Sequence, residues 1–220
     1  MTCHLIIFAK VPEPGRVKTR LCEHITCEEA VELYDAFVAD TVGMAASAGA
    51  FHVTLAYTPK SAGGYFTDRF DGLGVEFIPQ EGADLGMRMH HALSRAFGHG
   101  ADRAALIGTD IPTLTAGEVK EAFSRLENSD VVIGPANDGG YFLVAVKAPQ
   151  PGIFEGVAWS TPHVLRSTLE RADAMGLTVS LIPGHTDVDT VMDLAALSGL
   201  ALPENTRAVV ERLRPKLASL

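Results

Sequence analysis

The sequence predicts an α/β protein in which a mostly parallel central sheet is flanked by helices on both faces. Three observations lead there. Short apolar runs of strand length alternate with longer stretches of helical periodicity along the whole chain. Hydrophobic residues make up 47% of the chain and charged residues 20%, enough for a real core. The Lys-, Asp- and Gly-rich segments fall just after the apolar runs, where open α/β sheets keep their ligand sites.

The first strand is Leu5–Ala9, an apolar run closed by Lys10 and a Pro/Gly-rich loop. A long helix follows over Glu28–Ala48, with Ala30, Leu33, Tyr34, Phe37 and Val38 at helical spacing. Phe51–Tyr57 and Val75–Ile78 read as strands. Leu85–Phe97 has a helical pattern closed by Gly98 and Gly100. Arg103–Gly108 is a buried strand. Thr115 and Glu118 are spaced as a capping box for a helix over Ala116–Leu126. Strands at Asp130–Ile133 and Tyr141–Lys147 come next, and Thr161 is placed to cap a helix running to Ala174 whose first turn tolerates Pro162. A strand at Thr178–Ile182 precedes a helix at Val191–Leu200, capped by Asp189 or Thr190, and a last helix at Glu204–Leu217.

A chain of 220 residues without a low-complexity linker or internal repeat suits one domain spanning residues 1–220. No apolar run reaches the ~18 residues that a membrane span requires. The apolar N-terminus has no basic segment before it, so it reads as a first strand rather than a signal peptide, and a cytoplasmic location is expected. Cys3, Cys22 and Cys27 show no paired spacing, and no disulfide is expected; Cys22, His24 and Cys27 match no common zinc motif.

The net charge of −9 argues against a nucleic-acid partner. Its distribution is uneven. Lys10, Arg16, Lys18 and Arg20 against Glu13 leave +3 on residues 1–20, so residues 21–220 carry −12. A cationic loop on an acidic protein points to a small anionic ligand.

Five segments carry candidate chemistry. In the loop after the first strand, Pro12 and Pro14 stiffen the chain and Gly15 permits close backbone approach. Lys18 and Arg20, two apart, share a face if the backbone is extended, and together with Lys10 they can neutralise a diphosphate. The loop has neither Walker nor dinucleotide-fingerprint glycines. Asp110 follows the buried strand Arg103–Gly108 in Gly108-Thr109-Asp110, where a carboxylate suits either a turn or a metal. Asp187 and Asp189 are likewise two apart. Asp189 with Asp110 makes a two-carboxylate site for Mg²⁺ or Mn²⁺, which complete their shells with water and phosphate oxygens. Asp189 also suits capping of the following helix, and Asp193 suits the first-turn dipole. Asp138, before Gly139 and Gly140, is placed to bind an acceptor or sugar hydroxyl or to act as a base, and it equally suits a plain turn. Gln80 can read a nucleobase edge, whereas Asp84 fits a helix N-cap. His90 and His91 lack partners at metal spacing, and Trp159 suits core or ligand stacking.

Taken together, Phe8 to Leu21, Gln80 to Gly86, Gly108 to Pro112, Gly134 to Tyr141 and Asp187 to Thr190 resemble the bacterial DUF2064 group of candidate glycosyltransferases. That group is similar to the glycosyltransferase-A, or nucleotide-diphospho-sugar transferase, fold (Rossmann-like) and to small nucleotidyltransferases, including phospholactate guanylyltransferases. The resemblance runs from Leu5 to about Leu200. It implies that Lys10, Gly15, Lys18 and Arg20 hold phosphates, that Gln80 and Gly86 line the nucleobase pocket, and that Asp110 and Asp189 hold the metal. Asp110, Asp138 and Lys18 become the expected catalytic residues. Position 108 is Gly, so the Asp-X-Asp of many glycosyltransferases is reduced here to one aspartate, and the Gly-X-Gly-X-Arg loop of sugar nucleotidyltransferases is absent. The expected activity is metal-dependent glycosyl transfer from a nucleotide-diphospho-sugar to a small-molecule acceptor. Nucleotidyl transfer from a nucleoside triphosphate to a phosphorylated acceptor is the alternative, and a non-catalytic nucleotide-binding module is the third reading.

Overall fold

The computed structural model describes residues 1–217, so the last three positions of the expected 1–220 domain lie outside it. Seven strands, β1 (Cys3–Lys10), β2 (His52–Thr58), β3 (Glu76–Pro79), β4 (Arg103–Ile107), β5 (Val131–Pro135), β6 (Tyr141–Val146) and β7 (Val179–Leu181), form one sheet in the order β3-β2-β1-β4-β6-β5-β7. The helices are α1 (Cys27–Ser47), α2 (Gly63–Arg69), α3 (Leu85–Gly98), α4 (Ala116–Arg125), α5 (Val164–Ala174), α6 (Val191–Ala196) and α7 (Glu204–Leu217).

The mostly parallel sheet is as the sequence predicts. β6 is the exception, antiparallel to both β4 and β5. The short Ala136–Gly140 connection dictates this, because a parallel crossover needs a dozen residues or more. As a result β6 begins at the edge where β1 and β4 end, and it brings Asp138 and Tyr141 there.

Alternation along the strands sends the two sets of side chains into different cores. Leu5, Ile7, Leu55, Ala105, Ile107 and Leu143 pack with α1, α2 and α4 on one face. Ile6, Ala56, Leu106, Ile133 and Val144 pack with α3 and α5 on the other. A third cluster covers the outer side of α1, where Leu33 and Phe37 meet Leu194 of α6 and Val210 and Leu213 of α7. α1 is thus apolar on two sides.

Capping boxes close the N-termini of α1 (Thr26 and Glu29), α4 (Thr115 and Glu118) and α6 (Thr190 and Asp193). Asp84 caps α3 through the Met87 N–H at 2.8 Å. Thr190 therefore caps α6, and Asp189 is free for other work. Thr161 does not cap α5, which begins at Val164; its hydroxyl instead donates to the Ala158 carbonyl within its own turn. α2 was not legible in the sequence, being two turns long and opened by Gly63 and Gly64.

Cys22 and Cys27 form a disulfide, against expectation. The 3₁₀ turn Thr19–Glu23 folds the chain back toward α1, so the two Cα atoms come within 5.0 Å, the span a disulfide bridges. No described helix is long and apolar enough to cross a membrane.

Candidate active site

The chain order reverses between β1, which pairs with β2 on one side, and β4 on the other. Ligands of open α/β sheets bind at such a switch point. A cavity of about 660 Å³ opens there, beyond the ends of β1, β2 and β4. Lys10, Lys18, Arg20, Gln80, Asp110, Asp138 and Asp189 all line it, with Asp187 and Trp159.

Three separate segments meet at its centre. Lys18 Nζ donates to Asp189 Oδ1 at 3.0 Å and is ion-paired with Asp110 Oδ1. Arg20 approaches the other Asp189 oxygen at 3.9 Å. The Val188 N–H donates to the Asp110 carbonyl at 3.0 Å, which fixes the Asp187–Asp189 strip beside the end of β4. The same strip joins β5, since the His185 N–H donates to the Pro135 carbonyl and Asn137 N–H to the His185 carbonyl, both at 3.1 Å. Tyr34 on α1 ties the floor together: its buried hydroxyl accepts the Lys10 N–H at 3.0 Å and the Thr109 hydroxyl at 3.2 Å.

Lys18 does not lie in extended chain. Its backbone is left-handed, with φ 47°, and it precedes the 3₁₀ turn. Lys18 and Arg20 consequently part: the Lys18 side chain is 3% exposed and that of Arg20 73% exposed. Among the described residues, Lys18 and Ser160 are the two non-glycines with positive φ, and both line this cavity. Such conformations cost roughly 1–3 kcal/mol each and cluster at functional sites.

The electrostatics follow from this geometry. Burial alone pushes the Lys18 ammonium down, but the Asp110 and Asp189 charges and hydrogen bonds outweigh it, and the group is held above its ordinary range. Asp187 is pushed up to about 6, first by burial and then by the charges of Asp138, Asp189 and Asp110. Burial, followed by the Asp110 charge, pushes the Tyr34 phenol up.

The relatives of this chain share the same architecture. Residues 41–161 match the family described as uncharacterized proteins conserved in bacteria, DUF2064. A candidate nucleotide-diphospho-sugar transferase from Desulfovibrio desulfuricans G20 is 34% identical over 100% of this chain and 98% of its own, with a TM-score of 0.91. The chain belongs to the DUF2064 family. Two more distant structures share its fold. A cytidylyltransferase from Leptospira borgpetersenii serovar Hardjo-bovis (strain JB197) is 11% identical, covering 99% of this chain and 96% of its own at a TM-score of 0.56. A Mycobacterium tuberculosis H37Rv protein in complex with manganese is 15% identical, covering 90% and 98% at 0.55. No curated protein matches.

In this DUF2064 protein several expected residues stand in the cavity wall with other duties. The Gln80 side-chain amide donates to the Ala56 carbonyl at 2.9 Å and the Ala9 carbonyl at 3.4 Å, so its N–H groups bind strand ends rather than open toward a base. Gly86 is absent from the lining. A methyl there would meet Trp159 Cζ2 at 2.7 Å, so the glycine lets α3 pack against Trp159. Gly15 sits at φ 73° in an exposed turn, also outside the lining. Asp138 Oδ1 accepts the Gly140 N–H at 2.8 Å, a local turn bond that orients the carboxylate at the rim. Gly139 is approached by the Pro162 backbone rather than by open space. Tyr34, Arg88 and Ser160 also line the cavity without being singled out by the sequence: Tyr34 reads there as a helix-face apolar position, and neither Arg88 nor Ser160 has a local sequence signal.

The donor set fits a hard divalent ion. Asp110 and Asp189 are carboxylates from different segments that already converge on one positive charge, the Lys18 ammonium. Among the described residues no group of three His, Cys, Asp or Glu side chains could hold an ion. Two carboxylates with water and phosphate oxygens is the arrangement Mg²⁺ tolerates.

Proposed function

We propose that this protein is a metal-dependent glycosyltransferase with a nucleotide-diphospho-sugar donor. The observation that carries the reading is the meeting of Lys18, Arg20, Asp110 and Asp189 in a switch-point cavity that Asp138 and Trp159 also line. The nucleoside lies over the ends of β1 and β2, beside Lys10 and Gln80. The diphosphate lies against Lys18 and Arg20, and the sugar and acceptor lie toward Asp138. Mg²⁺ or Mn²⁺ held by Asp110 and Asp189 would supply charge stabilisation for the leaving diphosphate. The manganese complex of the fold relative is consistent with that choice of ion.

In the reaction, the bond from the anomeric carbon to the diphosphate oxygen breaks, and its electron pair stays on the diphosphate. Lys18 and Arg20 bind that growing charge more tightly than the ground state, which is what lowers the barrier. The acceptor hydroxyl oxygen forms the new bond to carbon, and its proton passes to the Asp138 carboxylate.

A thermal-shift panel tests this: nucleoside triphosphates, diphosphates and nucleotide-sugars, each with and without Mg²⁺ or Mn²⁺, on wild type and Asp110→Asn. Ligands of the native state raise the melting temperature. One nucleotide-sugar should give a metal-dependent shift that Asp110→Asn loses, followed by release of nucleoside diphosphate when acceptor is added. A shift confined to triphosphates, with pyrophosphate released, would replace glycosyl transfer by nucleotidyl transfer. Binding without turnover, little altered by Asp110→Asn, would leave a binding module.

A further inference from the structure

Lys18 stands apart from the other cations of its loop. Arg16 and Arg20 have side chains 68% and 73% exposed, while that of Lys18 is 3% exposed. Its ammonium is held by Asp110 on one side, by Asp189 on the other, and lies 5.8 Å from the Phe37 ring centre on α1. The two carboxylates belong to segments far apart in the chain. Like charges brought together at a site repel unless a cation stands between them. At the point between the carboxylates Lys18 supplies a single positive charge, with exposed Arg20 only at 3.9 Å from Asp189, so a divalent ion in the lysine's place would put twice the charge there.

The way Lys18 is attached favours exchange. A lysine is a point charge on a flexible four-carbon stem, and its hydrogen bonds are not locked into a planar fork as those of arginine are. Its backbone lies in the left-handed region at the residue that precedes the 3₁₀ turn, a conformation that persists only where surrounding contacts hold it.

We propose that Lys18 is an exchangeable counter-ion: in the ligand-free protein its ammonium occupies the point between Asp110 and Asp189 that the divalent cation takes, and it swings to the nucleotide's phosphates when both ligands bind. This rests on the metal and nucleotide site proposed above. Its consequence is coupling. The metal meets an occupied site until phosphate gives Lys18 a new partner, so nucleotide and metal each tighten the other's binding by the same factor.

The test is Mn²⁺ binding, read from water-proton relaxation, on wild type, Lys18→Met, Lys18→Gln and Asp110→Asn, without nucleotide and with UDP, GDP, CDP or ADP in turn. Circular dichroism checks that each variant is folded, and the two lysine variants guard against one failing to fold. Without nucleotide, both lysine variants should bind Mn²⁺ at least tenfold more tightly than wild type. In wild type, at least one nucleoside diphosphate should tighten Mn²⁺ tenfold or more, a coupling that shrinks below threefold in the lysine variants. If Mn²⁺ binds wild type through Asp110 but the lysine variants bind it no more tightly, the exchange is wrong while the metal site stands. If no Mn²⁺ binds to wild type with any of the nucleotides, or to either lysine variant, the metal site falls and the exchange falls with it.

Discussion

Asp187 shows what the site asks of a single side chain. Its carboxyl is pushed up to about 6 by burial and by three neighbouring carboxylates. Below about pH 3 it is protonated in native and unfolded chains alike and makes no difference to stability. As the pH rises from 4 to 6, the unfolded chain releases its proton first, so the native state is progressively penalised, and the penalty is complete above pH 6. Asp187→Asn should therefore stabilise the ligand-free protein at pH 7.5, by roughly 1 kcal/mol once the residue's partial exposure is discounted. Urea unfolding at pH 7.5 and pH 4 checks this; the difference between the two proteins should shrink severalfold at the lower pH, and one persisting there in full would assign the effect to packing. Tyr34 makes the complementary point. Its hydroxyl joins Lys10 and Thr109, the residues at the ends of β1 and β4, so a helix residue sets the spacing between the cationic loop and the Asp110 turn.

Among the elements, α1 joins two layers of the core. One side packs on the sheet and the other receives α6 and α7. The docking of α7 is directed by Asp40, whose Oδ2 accepts the Thr206 N–H at 2.7 Å and whose Oδ1 accepts the Asn205 side-chain N–H at 2.8 Å. A carboxylate on the N-terminus of another helix combines hydrogen bonding with the favourable end of the dipole. Asp40→Ala leaves the buried Thr206 N–H unpaired and should cost about 1–3 kcal/mol, measured as a lower urea midpoint. Because α6 begins just after Asp189, the same variant should also weaken metal-dependent nucleotide binding. The Cys22–Cys27 disulfide works on the neighbouring segment, joining the 3₁₀ turn that follows Lys18 to the first residue of α1.

At the level of the complete protein, the sheet order and the single antiparallel strand β6 decide which loops share an edge. The fold carries its own positive charge at the proposed metal point, so the ligand-free protein should melt at the same temperature with and without EDTA. The nucleotide-induced shift, by contrast, should vanish on chelation and return with Mg²⁺ or Mn²⁺. A drop in the ligand-free melting temperature on chelation would mean that a metal, rather than Lys18, holds Asp110 and Asp189 together.

Local patterns in the chain were sufficient for the element types, the mostly parallel sheet, the α3 and α4 caps and the identity of the clustered residues, because strand runs, helical periodicity and capping spacings act over a few neighbours. They were sufficient also for Lys18, Asp110 and Asp189 as members of one site, since each follows or precedes a regular element at the edge where such sheets bind ligands. They misdirected the rest wherever a contact spans the chain. Two residues' separation puts Lys18 and Arg20 on one face of an extended strand, yet a left-handed residue and a 3₁₀ turn replace that geometry, burying Lys18 and leaving Arg20 exposed while both reach Asp189. Gly86 looks like a ligand contact, but Trp159 claims its space, while Gln80 does line the cavity with its amide N–H groups bound to the ends of β1 and β2. That a lysine stands between two aspartates 79 positions apart, with Arg20 beside it, was decided by the tertiary structure. Charge pairing over such separations is set by how the sheet orders its strands, which no local spacing encodes.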